Sequence, residues 1–280
     1  MAFDVPIPDR PQAAAPQAAA QRAAGRARLA VQRDGEISRL SRLYQEGAAK
    51  LRLPRSRSGV VEAVMINSAG GMTGGDRFDW AVEARDGAHA VLTTQACERI
   101  YRASADVARV DVRLALGEVA RIDWLPQETI LFEGSALSRR IEADLAPGAR
   151  LLACEAVILG RHAMGERFTR GLFQDRWRIR REGRLTFADD LTLAGDIPAL
   201  TAPSALLAGA GAFATLLLVG GDAEARIDAV RAAIGDLGGA SAFDGKLVAR
   251  LAAPDGLSLR RALVPAIAAL GAKPPTVWTF

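Results

Sequence analysis

The stretch VARVDVRL at residues 107–114 decides the fold class of this 280-residue chain. Apolar and charged side chains alternate through it with a period of two, which turns one face of a β-strand toward a core and the other toward water. The stretches RFDWAVE at 77–83 and ARIDW at 120–124 repeat the alternation. These segments predict half-buried strands rather than helices.

Turn signals separate the predicted strands along most of the chain. Asp86-Gly87, Pro147-Gly148 and Glu182-Gly183 each stand between two runs of strand-forming residues. The further predicted strands are 60–66, 88–94, 139–145, 151–159, 176–180, 185–187 and 213–219. Signals spaced about 8–12 residues apart are typical of an all-β sandwich, barrel or solenoid. No repeat of fixed length singles out the solenoid.

Two segments near the C-terminus follow a helical period instead. Apolar side chains recur on one helical face through 222–237, and Asp222 is placed to cap that helix. The segment 257–270 is also helix-like, and Pro265 predicts that its helix starts or kinks there. The first 25 residues are rich in Ala, Gln and Pro and are predicted to be a flexible tail. We therefore predict a tail at 1–25 and one mainly β domain at 26–280.

The charge distribution excludes a nucleic-acid-binding body. The chain has 36 Lys and Arg residues against 32 Asp and Glu residues, a net charge of +4. Residues 1–60 hold eleven basic and five acidic side chains, so the remaining 220 residues sum to −2. Binding to nucleic acid requires a folded basic face, which this balance does not supply.

The sequence also argues against secretion and membrane insertion. Its first residues, MAFDVPIPDRPQ, contain no apolar signal region. The uncharged run 197–221 is interrupted by Pro198, Pro203 and several glycines, whereas a spanning helix is continuous. Cys97 and Cys154 lie 57 residues apart and form no disulfide framework. We expect a cytoplasmic protein without membrane contact.

The densest glycine cluster is GGMTGGD at 70–76. A phosphate cradle precedes a helix and usually a lysine. Here a predicted strand follows and no lysine stands nearby, so tight turns or close backbone approach are the favoured interpretation. Cys97 has Arg99 near it, which would favour a thiolate, but no catalytic motif surrounds it and a packed free cysteine is the favoured interpretation.

Metal ligands are few and scattered. His89 and His162 have no His, Cys or Asp partner at zinc-site spacing. His162 lies close to a thioether and a carboxylate in GRHAMGE, a mixture that suits weak coordination, although an ordinary histidine is the more common case. Carboxylates flanked by apolar residues either face an interior channel or pair with one of the many arginines, and the sequence leaves both open. These carboxylates are Glu128, Glu133, Glu155 and Glu166.

Four segments together resemble the family of the urease accessory protein UreD, also called UreH. They are GGMTGGD at 70–76, TT leading to RIYR at 93–102, WLPQETILF at 124–132 and LGRHAMGERF at 159–168, with VWT at 277–279 resembling the family ending. The resemblance runs from about residue 33 to the C-terminus, and WLPQETILF is its most specific part. The motif positions it marks are Gly70, Gly71, Gly74, Gly75, Asp76, Tyr101, Arg102, Pro126, Gln127, Gly160, Arg161 and Gly165.

The resemblance implies a many-stranded, right-handed β-helix-like body with two α-helices in its C-terminal part. It also implies a non-catalytic, cytosolic maturation factor that docks on apo-urease and on UreF, which recruits the GTPase UreG. In that role no cofactor is tightly bound, and nickel is cargo in transit. The residues we expect to handle it are Glu166 as the strongest candidate, then Glu133, Glu128 and His162.

The chain departs from the family pattern at two places. Asn67-Ser68-Ala69 stands where many relatives carry histidine and proline, and Glu98-Arg99 stands where many carry a lysine. Carboxylate and backbone oxygens are then the expected ligands. The alternative is a β-solenoid or barrel enzyme acting on a small polar or sugar substrate, with Glu128 and Glu133 as acid and base. Residues five apart lie on opposite faces of a regular strand, which argues against it.

Overall fold

Two β-sheets contain most of the residues that the computed structural model describes, namely 22–55 and 58–278. Their strands are β1 (Ala24–Asp34), β2 (Ile37–Gly47), β3 (Ala49–Arg52), β4 (Val61–Asn67), β5 (Arg77–Ala84), β6 (His89–Thr94), β7 (Glu98–Ile100), β8 (Ala108–Leu116), β9 (Arg121–Trp124), β10 (Thr129–Leu131), β11 (Ala136–Leu145), β12 (Arg150–Leu159), β13 (Arg170–Arg181), β14 (Arg184–Asp196), β15 (Ala212–Val219), β16 (Gly238–Phe243) and β17 (Lys246–Ala253). The α-helices are α1 (Ile197–Thr201), α2 (Ile227–Ile234) and α3 (Gly256–Ala269).

The chain winds between the two sheets as a solenoid-like coil. The first sheet has the order β14-β13-β11-β8-β5-β1-β2, and the path of the second is β16-β17-β15-β12-β9-β6-β4-β3. Strands β5, β8, β11 and β13 pair in parallel in the first sheet. Strands β4, β6, β9 and β12 do so in the second. This arrangement confirms the predicted mainly β, β-helix-like class with helices near the C-terminus.

The main core lies between the sheets because each strand turns its apolar alternate residues inward. Val112 and Leu114 of β8 are buried at this face, whereas Arg113 between them is exposed. Ile122 of β9 and Leu151 of β12 face them from the second sheet. The alternation read at 107–114 therefore marks one wall of the coil.

Strand β12 is buried on both faces. Leu151 and Ala153 belong to the core between the sheets, whereas Leu152 and Cys154 belong to a second core. Helices α2 and α3 pack in that second core, with side chains such as Leu263. Burial on both faces is the reason that 151–159 reads as a continuous apolar run without alternation.

Three arginines fix the C-terminal end of α3. Arg121 donates to the carbonyl of Gly271 over 2.8 Å, and Arg226 donates to the carbonyl of Ala269 over 3.0 Å. Arg150 donates to the carbonyl of Leu270. The last carbonyls of a helix lack intrahelical donors and carry partial negative charge, so guanidinium groups stabilise them.

Both predicted helices differ from the structure at their starts. Helix α2 begins at Ile227 after a 3-10 turn, and Asp222 accepts hydrogen bonds from Arg150 and Arg226 instead of capping it. Helix α3 begins at Gly256, where the Asp255 carboxylate accepts from the Ser258 N–H, and it continues through Pro265. The start predicted at the proline was wrong because the Asp255 cap sets the start nine residues upstream of it, at Gly256.

The predicted boundary between tail and domain falls inside a strand. β1 begins at Ala24, and the Ala23 N–H donates to the Asp76 carboxylate over 2.8 Å. Residues 1–21 of the predicted tail lie outside the described residues. The sequence pattern did not predict β1 and β2. Only the middle of β1 is buried, and nearly all of β2 is exposed, so neither shows a clear alternation of apolar and polar residues. Within the described ranges, no helix combines the length and apolar character needed to cross a membrane.

A pair of truncations tests where the folded unit starts. A chain beginning at Arg26 loses the hydrogen bond to Asp76 and the first pairings of β1, which a chain beginning at Arg22 retains. We expect the shorter chain to be less stable by about 1–3 kcal/mol, measured by urea unfolding of both. Equal stability of the two chains would contradict a start at Ala23.

Candidate functional site

Loops from four strands of the second sheet meet at one edge of the coil. Strands β4, β7, β10 and β12 are followed by the segments 68–76, 101–107, 132–135 and 160–169. Parallel pairing of β7 and β12 with β10 brings these strand ends together. We call the residues that contact one another there, through side chains or backbone, the rim cluster: Tyr101, Phe132, Glu133, Arg161 and Glu166.

Aromatic and cationic groups form the apolar half of the rim cluster. The rings of Tyr101 and Phe132 meet edge to face, with centroids 5.0 Å apart. The Arg161 guanidinium lies 4.4 Å from the centroid of the Phe132 ring. The Tyr101 hydroxyl donates to the carbonyl of Gly70 over 3.1 Å. Four segments that are distant in sequence therefore share one contact surface.

The glycine cluster serves close packing at this edge. A Cβ on Gly71 would lie 2.4 Å from the Tyr101 ring, and its φ of +147° also favours glycine. A Cβ on Gly74 would lie 2.1 Å from the carbonyl oxygen of Ala105. Asp76 accepts from the Thr73 N–H over 2.8 Å and closes the loop before β5. The geometry supports close backbone approach rather than a phosphate cradle.

The other motif positions also hold the loops in place. A Cβ on Gly160 would lie 2.5 Å from the carbonyl oxygen of Glu166, and Gly165 ends a 3-10 turn at a φ of +70°. Gly75 also has a positive φ, of +89°. The carbonyl of Arg102 accepts from the Thr73 hydroxyl over 2.8 Å. These motif residues hold the loops of the rim cluster in place. Their own side chains supply no free ligand atoms for a metal ion.

The two rim carboxylates are held by protein donors. Arg161 donates to Glu166 over 3.1 and 2.5 Å, and this hydrogen bonding lowers the pKa of Glu166. Glu133 accepts from the Thr169 N–H and hydroxyl over 2.5 and 2.7 Å and from the Arg170 N–H over 3.2 Å. Desolvation opposes ionisation of Glu133, but these hydrogen bonds prevail and lower its pKa. Both carboxylates lie in partly exposed loops and not in the interior.

The structure does not assemble the four sequence-predicted nickel residues into one ligand set. His162 is exposed, and its Nε2 lies 3.0 Å from the carbonyl oxygen of Leu159. Glu133 and Glu166 lie in the rim cluster, whereas Glu128 is buried elsewhere. Among the residues described, no group of three His, Cys, Asp or Glu side chains is arranged to hold a metal ion.

Glu128 joins helix α3 to the coil. Its carboxylate is 2% exposed and accepts from the Arg260 Nε over 2.9 Å. Arg260 also donates to the Gln127 side-chain oxygen over 3.0 Å and stacks over the Trp278 ring at 5.4 Å. Gln127 in turn donates to the carbonyl of Thr94 over 3.0 Å. Gln127 and Glu128, which follow the buried Pro126, therefore form one buried junction with the C-terminal segment.

This placement removes the geometric basis for the acid–base alternative. Glu128 is bound by Arg260, and Glu133 is bound by Thr169 and Arg170. Neither lines the interior cavity of the coil. Two carboxylates with separate partners and no common cavity do not form a glycosidase-type pair.

Cys97 is a packed thiol. Its Sγ lies 3.3 Å from a Glu128 oxygen, and burial followed by the charge of Glu128 raises its pKa to about 11. The thiolate interpretation based on Arg99 is therefore wrong, and the packed interpretation stands.

A cavity of about 270 Å³ lies inside the coil, next to the rim edge. Its walls are largely apolar, with Met72, Trp80 and Leu137 among them. Charged groups project into the same walls: Glu98 from β7, Arg139 from β11 and Glu155 from β12.

Glu98 is the more weakly bound of the two carboxylates that line the cavity. The Asn67 amide donates to its two oxygens over 3.2 and 3.3 Å, and its hydrogen bonds include no guanidinium donor. Burial raises its pKa to about 7. Sequence reasoning missed Glu98 as a site residue because it adjoins no long apolar run. The signal that could have indicated it was its position as the first residue of β7, a strand that belongs to a family motif.

Arg139 organises the opposite wall of the cavity. It donates to Asp175 over 2.9 and 2.6 Å and to Glu155, and all three side chains are at most 10% exposed. The Trp124 Nε1–H donates to the other Glu155 oxygen over 2.9 Å. Glu155, left open by the sequence as interior or paired, is both.

Comparison with known proteins identifies the family. A family model described as UreD urease accessory protein matches residues 23–279. The chain belongs to the UreD family. It is 55% identical over 259 residues to "Urease accessory protein UreD" of Rhizobium leguminosarum bv. viciae, an alignment covering 91% of this chain and 95% of the relative. It is 52% identical over 258 residues to the protein of that name from Agrobacterium fabrum, covering 91% of each.

Membership of the UreD family supports a role in urease maturation, and that role is not an enzymatic one. The family assignment confirms the resemblance read from the four motif segments. Within this UreD family member, those segments build the rim cluster and the Glu128 junction. Residues of these segments also line the interior cavity.

The pH dependence of stability tests the burial of Glu98. Because its pKa in the folded protein lies above the ordinary value of 4.5, the folded state holds more protons between pH 4.5 and about 7. The contribution of Glu98 to the free energy of unfolding is therefore most favourable below that window and falls as the pH rises through it. Glu98→Gln should match the parent near pH 4 and exceed it by about 2 kcal/mol at pH 8, measured by urea unfolding. Glu118→Gln, at an exposed carboxylate, is the control; a pH-independent effect of Glu98→Gln would contradict the assignment.

Substitution of Arg260 tests the buried junction. Arg260→Met leaves the Glu128 carboxylate buried without its partner and should lower the free energy of unfolding by about 3 kcal/mol. The double variant Glu128→Gln/Arg260→Met should recover part of this loss. Arg250→Met is the matched control, because the Arg250–Asp189 pair of 2.8 Å has a 54% exposed arginine and contributes less than about 1 kcal/mol. Equal losses in Arg260→Met and Arg250→Met would contradict the junction.

Proposed function

We propose that this protein is a non-catalytic maturation factor which, with UreF and UreG, docks on apo-urease in the cytoplasm and enables nickel insertion. UreG joins through UreF in this scheme, and nickel is cargo rather than a bound cofactor. The observation that carries the proposal is the interior cavity beside the rim cluster of a UreD family member. The Glu98 carboxylate at its wall accepts no hydrogen bond from an arginine side chain among the described residues.

A passing nickel ion requires ligands that release it. An isolated carboxylate binds nickel less tenaciously than thiolates or clustered imidazoles. Glu98 supplies one such ligand at the cavity wall. The Asn67 amide nitrogen donates to its two oxygens over 3.2 and 3.3 Å, and these long hydrogen bonds are what an arriving cation would displace.

The rim carboxylates are proposed to act at the edge of the cavity rather than within it. Glu166 carries the strongest expectation from the family motif, and Glu133 contacts it through its backbone N–H over 3.3 Å. Both stay ionised because their hydrogen bonds lower their pKa values. A partly exposed anionic group suits the first or last contact of a cation, and Arg161 would then have to exchange with it.

The exposed part of the rim offers a surface for docking. Met164 is 74% exposed in the turn that carries His162 and Arg161, and Tyr101 is 37% exposed beside it. Apolar side chains exposed together at a motif edge favour a protein contact. We propose this edge as part of the surface used in the urease assembly.

Reconstitution tests the proposed function directly. Apo-urease, UreF and UreG are coexpressed with and without this chain, and nickel bound to purified urease is measured by mass spectrometry. We expect nickel-loaded urease only when the chain is present, and we expect the chain to copurify with apo-urease. Full loading without it, or urea or nucleoside triphosphate turnover by the pure chain, would overturn the proposal.

Glu166→Gln separates metal handling from structure. The substitution keeps size and hydrogen-bonding capacity but removes the charge, so we expect a complex that assembles with UreF and UreG yet yields nickel-poor urease. Arg161→Met is the matched variant, because it breaks the same ion pair and keeps the carboxylate; we expect it to load nickel normally.

Three outcomes count against a role of Glu166 in transit. These are full nickel loading with Glu166→Gln, equal loss of loading in both variants, and loss that accompanies unfolding in thermal denaturation. Glu98→Gln, measured in the same assay, distinguishes the cavity from the rim. If it alone lowers loading, the interior carboxylate and not Glu166 handles the metal.

A further inference from the structure

Strand β2 is an exposed edge of the first sheet. It pairs with β1 on one side, and in the part of the chain that the structure describes no strand of that sheet pairs with its other side. Ten of its eleven residues are exposed, Ser38 being the exception. Large apolar side chains are among them: Leu40 is 45% exposed, Leu43 38% and Tyr44 41%. A long edge with exposed apolar groups is a template for pairing with another strand.

The two faces of β2 differ in chemistry. Leu43 lies opposite Leu29 and Leu40 opposite Val31, and both β1 partners are buried in the core. Directly opposite residues of an antiparallel pair point to the same face. Leu40 and Leu43 therefore extend the apolar face of the core beyond the last strand.

The outer face of the same edge is basic. Arg42 lies opposite Ala30 and Tyr44 opposite Arg28, which places both arginines on the face away from the core. Arg42 and Arg28 are exposed, and neither forms an ion pair within the described ranges. Residues 22–55 as a whole carry nine basic and three acidic side chains. An added strand would meet leucines on one face and arginines on the other.

The backbone of β2 is open over most of its length. The Ser38 N–H donates to the carbonyl of Gly59 over 2.8 Å, which covers the start of the strand. From Arg39 to Glu46 all residues are exposed. The register shift between Ala30 and Val31 skips Ser41, so Leu40 and Leu43 lie on one face although they are three residues apart.

We propose that β2 docks one extended segment of a partner protein in which acidic and apolar residues alternate. The added strand continues the sheet by main-chain hydrogen bonds. Its apolar residues pack on Leu40 and Leu43, and its acidic residues pair with Arg42 and Arg28 on the outer face. Because successive side chains of a strand point to opposite faces, a period of two is what this edge selects.

A second copy of the chain fits the edge poorly. Antiparallel pairing of two β2 strands brings the arginines of both copies to the same outer face. Like charges on neighbouring strands are destabilising. The arginines therefore repel the arginines of a second copy and attract an acidic strand. The same charges thus exclude one partner and select the other.

A synthetic peptide of alternating Glu and Val residues, 11 residues long, is the probe. Binding to the full chain is measured by fluorescence anisotropy, and hydrogen exchange locates the protected amides. We expect saturable binding with protection at 39–46. Arg42→Glu should weaken binding by at least about tenfold and should improve binding of the matching Lys/Val peptide. Arg140→Glu, an exposed arginine on β11, is the matched control and should leave both affinities unchanged.

Several outcomes overturn the proposal. Absence of binding does so, as does protection outside β2 or equal effects of Arg42→Glu and Arg140→Glu. A peptide of the same composition with Glu and Val in separate blocks, or a single-stranded oligonucleotide, binding equally well would show that charge alone is recognised. A dimer by light scattering that Arg42→Glu strengthens would show a second copy instead. Leu43→Glu provides an independent variant on the apolar face and should also abolish binding.

Discussion

Burial of β12 on both faces is the constraint on which the rest of the structure depends. Its odd and even residues close two different cores, one between the sheets and one beneath α2 and α3. A polar residue on either face is therefore buried and needs a partner. Glu155 meets this requirement through Arg139 and Trp124. The cavity thus lies on one face of β12, and the helices α2 and α3 pack on its other face.

The charged groups of the interior differ in how completely they are bound, and that difference separates structure from function. Glu128 and Glu155 each hold an arginine, and removing either arginine would leave a buried charge unpaired. Glu98 faces the same cavity as Glu155, with an amide and a backbone N–H as its donors. A carboxyl group whose pKa burial raises to about 7 can accept a cation in exchange for a proton, without first losing an arginine.

The sequence predicted the coil well where one face of a strand is buried and poorly where burial follows another rule. Alternation at 77–83 and 107–114 marked β5 and β8 because the second face carries exposed residues. Alternation at 120–124 marked β9 although Asp123 is buried, where His89 and Arg121 bind it. β1 was missed because its buried stretch, 27–31, is short and includes small alanines, and β2 was missed because this edge strand buries only Ser38. Of the site, the motif loops were predicted, but Glu98 and Arg139 were not. Their importance arises from contacts between distant segments, which no local pattern records.

Motif strength and ligand availability turn out to be separate properties of this chain. Gly71 and Gly160 leave no room for a Cβ, and Gln127 is bound at its amide nitrogen and oxygen. Such residues are fixed by packing, so their resemblance to a family identifies the fold more surely than the chemistry. A metal ion approaching Glu166 would have to displace two guanidinium hydrogen bonds, whereas at Glu98 it would meet two uncharged donors, the Asn67 amide and the Arg99 backbone N–H. The weaker competition lies at the residue that the motifs did not mark.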